Sequence, residues 1–144
     1  MVYKKIKPYN HDEQHFRKLW AEVYCEQQIY TFDNIEVKFY ANMFDHCFYE
    51  SADRKKKDKS ILSYNRLEKI LWIKDALEDP DAIIKQGWVN KEKRYDSKRR
   101  VTIVKGNYIV VILVYSVKKA RFITAYEVND EKNLELIKNS PNWG

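Results

Sequence analysis

Among the 144 residues, His46 is the side chain best suited to moving a proton at neutral pH. Imidazole ordinarily titrates near neutrality, and neighbouring cations can depress it into a working range. A lone histidine is more often a structural group. Arg66 lies on one helical stripe with Ile70, Ile73 and Leu77, so its guanidinium projects from the end of a core face. There it could clamp a phosphate or snorkel to the surface. On the last β-like run, alternation puts Phe122, Thr124, Tyr126 and Val128 on one face, and Arg121, Ile123, Ala125 and Glu127 on the other. The two hydroxyls could position a phosphate beside Arg66 or hydrogen-bond across a sheet. These residue types suit phosphodiester transesterification, in which an RNA 2′-hydroxyl attacks its neighbouring phosphate. Such a reaction needs only a base, an acid and cations to stabilise the charged intermediate.

Other chemistries lack their residues. His11 and His15 stand four apart with Glu22 further along, but there is no HExxH glutamate or strong third ligand, and a polar helix edge explains the pair. No metal site and no cofactor are expected. Cys25 and Cys47 form neither a CxxC pair nor a disulfide framework, which fits buried thiols in a reducing compartment. No Gly-rich phosphate loop and no GxSxG occurs. Met1–Asn10 lacks a signal-peptide pattern, and the longest apolar run, Tyr108–Tyr115, is far short of the roughly 20 residues that span a bilayer. A cytoplasmic protein without membrane contact is expected.

The net charge is +6, but Lys91–Arg121 alone holds ten cations against two anions, a net of +8. A stretch this basic attracts polyanions by counterion release, nucleic acid above all, unless acids elsewhere in the fold balance it.

The elements that must position these groups read as α+β. No repeat or linker divides residues 1–144, so a single domain is expected, with 44% hydrophobic residues to fill its core. Phe16, Leu19, Trp20, Val23 and Tyr24 recur at helical spacing, giving a helix over about 11–28 with Asn10 and Glu13 as a capping box. Residues 29–39 read as an extended arm or strand broken at Asp33-Asn34, 41–49 as a short helix or loop, and Asp53–Lys59 as an exposed loop. The stripe Leu67, Ile70, Leu71, Ile73 and Leu77 predicts one helix over 63–78, with Lys69 on its polar side and a stop at Asp79-Pro80. Residues 81–86 read as one more helical turn. Strands follow at 88–95, 99–105, 108–116 and 120–128, with Gly106-Asn107 as a hairpin turn. A short final helix fits 131–139. The expected architecture is N-terminal helices packed on a four-stranded antiparallel sheet in the C-terminal half, with a short C-terminal helix.

Arg66 through Leu77, the Asp79-Pro80 stop, the basic strands, the Ile109–Val114 run and Phe122-Ile123-Thr124-Ala125-Tyr126 together resemble the phage-type barnase–EndoU–colicin–RelE (BECR-fold) superfamily of small RNases. The resemblance covers about 40–128, with residues 1–30 as an N-terminal helical extension outside it. It implies a four-stranded antiparallel sheet, cofactor-free endoribonuclease activity, and a place in toxin systems or phage–host conflict with an immunity or antitoxin partner. It makes His46 the general base or acid, Arg66 a phosphate clamp, and Thr124 and Tyr126 active-site hydroxyls. Arg54, Lys98 and Arg121 would add phosphate contacts, as would Arg99 and Arg100 of the basic stretch.

Two other readings stay open. A non-catalytic nucleic-acid binder or regulator would use the basic strands, with Trp88, Tyr95 and Tyr108 as stacking platforms. A protein-interaction module for an acidic partner would account for the charge alone.

Overall fold

A computed structural model describes residues 3–50, 61–89 and 92–143, without the side chains of Val89, Ser97, Lys98 and Arg99. The expected loop at Asp53–Lys59, and Arg54 with it, lies outside the described residues. The chain enters through a 3₁₀ turn, Pro8–Asn10, and helix α1 (Glu13–Trp20). The cap of α1 is Asp12 rather than Asn10: its carboxylate accepts from the His15 N–H at 2.9 Å. A π-helical turn, Ala21–Cys25, extends the helix. It lies where the hydrophobic spacing continues, and Phe16, Trp20 and Tyr24 are all buried.

Short strands β1 (Ile29–Tyr30) and β2 (Glu36–Lys38) flank the expected break at Asp33-Asn34, where Asn34 takes φ +70°. Helix α2 (Met43–Phe48) settles the ambiguous 41–49 segment and buries Phe44, Cys47 and Phe48. Strands β3 (Tyr49–Glu50) and β4 (Ile61–Leu62) pair as a separate two-stranded sheet.

The expected single helix over 63–78 is two helices, α3 (Tyr64–Leu67) and α4 (Trp72–Glu78). Tyr24 causes the break. Its hydroxyl donates to the Ile70 carbonyl at 2.6 Å and accepts from the Lys74 N–H at 3.0 Å, so it sits inside what would be one i→i−4 hydrogen bond. Between the helices, Lys69, Ile70 and Trp72 donate to carbonyls three residues back, a 3₁₀ pattern. Buried Leu67, Ile70, Ile73 and Ala76 recur every third residue accordingly.

Strands β5 (Ile83–Val89), β6 (Arg94–Lys105), β7 (Tyr108–Ser116) and β8 (Lys119–Glu127) form the antiparallel meander, and α5 (Glu131–Lys138) follows. The helical turn expected at 81–86 is instead the start of β5, and the strand expected over 88–95 is split by a reversal. A short Ile-Ile run fits either state. Pairing Ile83 with Val104 and Ile84 with Ile103 decides for the strand. Gly106 turns the β6–β7 hairpin at φ +60°.

Among the described residues the main sheet has six strands in the order β1-β2-β8-β7-β6-β5. The expected four-stranded antiparallel sheet is therefore part of a larger, mixed one, because β2 joins β8 in parallel. Two- and three-residue strands are too short to show alternation in sequence. The α+β class stands. The helices are not all on one side: α1 to α4 cover the inner face around Trp20, Phe48, Ile70 and Phe122, while α5 sets Leu134 and Ile137 against Val104, Ile109, Val111 and Val128 outside.

Candidate active site

The registers of β6, β7 and β8 arrange the outer face in rows. Arg100, Leu113 and Arg121 make one row; Thr102, Val111 and Thr124 the next; Val104, Ile109 and Tyr126 the third. With strands about 4.8 Å apart, Arg100 and Arg121 lie roughly 10 Å from each other across Leu113. Cations stand at one end of the face, hydroxyls in the middle and a phenol at the other end.

The rows depend on a β-bulge. Val111 pairs with Thr124 but Ile112 pairs with Phe122, so Ile123 is the extra residue. Alternation resets there. Phe122 turns inward and is fully buried, Ala125 is buried in the same core, and Ile123 packs in the outer cluster with Tyr126. The expected grouping of Phe122 with Thr124 and Tyr126 is thus corrected, as is that of Ile123 with Ala125 and Glu127. Thr124 and Tyr126 do share a face, and the bulge puts Arg121 on it.

His46 and Arg66 come from the helical layer and meet β8 at its edge. Parallel pairing with β2 covers only Lys119 to Arg121, and α2 takes the strand's place beyond. The Cys47 thiol lies 3.7 Å from the Ala125 carbonyl as its donor, and Arg66 Nη1 donates to the Cys47 carbonyl at 3.0 Å. Ser63 sets up this contact by capping α3 through the Arg66 N–H and by donating its own N–H to the Phe48 carbonyl at 2.7 Å. His46 precedes Cys47, and Thr124 and Tyr126 flank Ala125. The backbones of α2, α3 and β8 thus meet at Ala125, but Ala125 faces the inner core while Thr124 and Tyr126 stand on the outer face. Of the two helical-layer residues it is Arg66 whose charge is felt at Tyr126. His46 is exposed in the last turn of α2, and Arg66 is half-buried.

Electrostatics ties Arg66 to Tyr126. Burial pushes the Tyr126 phenol above its ordinary pKa, opposed by the cations Arg100 and Arg66. Burial also raises Tyr108 well above its ordinary value.

Two further groups were hidden in the sequence. Lys69, expected on a polar helix face, has only 3% of its side chain exposed and bonds Glu68 at 2.8 Å, Glu127 at 3.3 Å and the Asn65 side chain at 3.0 Å. Its hydrogen bond holds the Glu68 carboxyl below the usual carboxylate range. The signal was the three-residue spacing of Leu67, Ile70, Ile73 and Ala76, which tightens the turn carrying Lys69. Glu127 also lines a cleft of about 830 Å³ between α5 and the outer face, shared by Tyr126, Arg100, Trp88 and Tyr95.

Of the expected phosphate contacts, Arg100 and Arg121 share the face of Thr124 and Tyr126. The side chains of Lys98 and Arg99 lie outside the described part, although both residues belong to β6. His11 and His15 stack on each other with ring centroids 3.9 Å apart, on the exposed side of α1. Among the described residues no cluster of three or more His, Cys, Asp or Glu is arranged to hold a metal ion, and no helix is long and apolar enough to cross a membrane. Chemically, the outer face can meet the phosphates of a strand with Arg100 and Arg121 and present the Thr124 and Tyr126 hydroxyls on the same face, with the Arg66 charge felt at Tyr126.

No protein-family model matches the chain, and no curated protein or solved structure matches it.

Proposed function

We propose that this protein is an endoribonuclease that cleaves RNA by 2′-hydroxyl transesterification without a metal ion, of the kind found in toxin or phage-conflict systems. The observation that carries this reading is the junction at Ala125. There Arg66 and Cys47 link the segment bearing His46 to the strand bearing Thr124 and Tyr126. In this reading the strand lies along the outer face with its phosphates on Arg100 and Arg121. Arg66 stabilises the charge that builds on the attacked phosphate, and His46 transfers the proton. The Thr124 and Tyr126 hydroxyls orient the phosphate. The resemblance of residues 40–128 to BECR-fold RNases supports the same assignment.

A second reading, RNA binding without cleavage, is favoured by the structural use of Arg66 at the Cys47 carbonyl. Incubating the protein with mixed-sequence RNA in excess EDTA, beside the His46→Ala variant, separates the two. Fragments ending in 2′,3′-cyclic phosphate, absent with the variant, are expected. RNA that shifts in a gel yet stays intact would leave the binder, and RNA that neither shifts nor breaks would point to an acidic protein partner.

A further inference from the structure

The cleft beside α5 has an aromatic wall that phosphodiester chemistry alone does not require. Trp88 and Tyr95 face each other across the β5–β6 pairing, edge to face with ring centroids 5.1 Å apart. They remain 45% and 37% exposed. Contact of this kind covers one face of one ring, so the pairing leaves the other ring faces uncommitted. Both rings line the same cleft as Tyr126.

Arg100 runs along this wall because Gly87 lets it. A Cβ on Gly87 would overlap the Cβ, Cγ and Cδ of Arg100, so only glycine allows the arginine stem to lie flat across β5. Its head thereby enters the cleft, where no carboxylate among the described residues forms an ion pair with it. The two acids of the cleft are committed: Asp130 accepts from the Lys132 N–H as the cap of α5, and Glu127 pairs with Lys69. The cleft thus offers aromatic planes next to a guanidinium that has no ion pair among the described residues.

We infer that this cleft is a base-stacking subsite for unpaired nucleotides of single-stranded RNA, with Trp88 and Tyr95 taking the base and Arg100 its phosphate. The inference rests on the endoribonuclease reading only for the direction in which the strand runs on toward Tyr126. A base held in a duplex already stacks on its neighbours and cannot enter, whereas an unpaired base gains a partner of any sequence.

A fluorescein-labelled 2′-O-methyl oligoribonucleotide tests this directly, because it lacks the attacking hydroxyl and stays whole during titration. Fluorescence anisotropy should show the wild type binding the single strand more tightly than its duplex. The Trp88→Ala/Tyr95→Ala protein should bind the single strand roughly tenfold more weakly, while Trp88→Phe stays near wild type. Both residues are exposed, and an unchanged melting temperature would show that the fold is intact. Equal affinity for single strand and duplex, no loss in the double variant, or no binding at all would overturn the subsite. Intact natural RNA in the cleavage assay would overturn the nuclease reading instead and leave this titration unaffected.

Discussion

Arg66 has two duties, and substitution can separate them. It closes the last turn of α2 through the Cys47 carbonyl, and its charge reaches Tyr126. Losing the hydrogen bond should cost about 1 kcal/mol of stability, read as a small drop in melting temperature. Losing the charge at the attacked phosphate should lower kcat by about 10²- to 10³-fold. Arg66→Ala should therefore remain folded yet nearly inactive; a protein that melts far earlier, or one that cleaves normally, would assign Arg66 to structure alone. His46→Ala should abolish cleavage while RNA affinity stays within a fewfold, since the imidazole is exposed on α2 and is not part of the cationic rows. Retained cleavage would remove His46 from the site.

At the scale of elements, the turn after α4 is held by charge. Asp79 accepts from the Tyr3 hydroxyl at 2.7 Å and from the Asp81 N–H at 2.8 Å, and pairs with Lys105 at 3.1 Å. These partners, the Tyr3 hydrogen bond foremost, hold its carboxyl below the usual range. A carboxyl with a lower pKa folded than unfolded contributes stability fully above its unfolded pKa, and that contribution is lost as pH falls through the folded value. Melting temperature should thus fall on acidification below the ordinary carboxylate range, and Asp79→Asn should be flatter there. Identical acid limbs for both proteins would discount the network.

The stop at Asp79-Pro80 was legible because chain chemistry within a few residues decides it. So were β7, β8 and the Gly106-Asn107 turn, which local runs of β-formers and a hairpin pair decide. The β5–β6 hairpin was not legible, because the Ile83-Ile84 run fits a helix or a strand until β6 pairs with it. The break between α3 and α4 was not, because Tyr24, 46 residues before Ile70, makes it through a hydroxyl whose destination is tertiary. The bulge at Ile123 was hidden for a similar reason: inserting one residue leaves a valid β-like sequence and changes only which side chains share a face. Thr124 and Tyr126 were grouped correctly because both lie beyond it. Lys69 was misread by assuming an ideal α-helical turn where the chain tightens.

For the whole molecule, the charge surplus of Lys91–Arg121 acquires a direction. Arg100 and Arg121 sit in one row on the outer face, away from the helices that fill the inner one. Phosphate contacts release counterions, so RNA affinity should fall steeply with salt. Each arginine removed from the row should flatten the log–log salt slope by about 0.7 for a single strand. Anisotropy titrations of Arg100→Ala and Arg121→Ala over a salt series measure this, and slopes equal to wild type would place the RNA elsewhere.

The most direct test of the account uses an oligodeoxynucleotide carrying one internal ribonucleotide, incubated with the wild-type protein in excess EDTA. Transesterification requires the single 2′-hydroxyl, so the strand should break only on its 3′ side, leave a 2′,3′-cyclic phosphate, and remain whole when every residue is deoxy. Cutting of the all-deoxy strand, or an intact chimera under conditions where the protein binds it, would contradict the proposed nuclease.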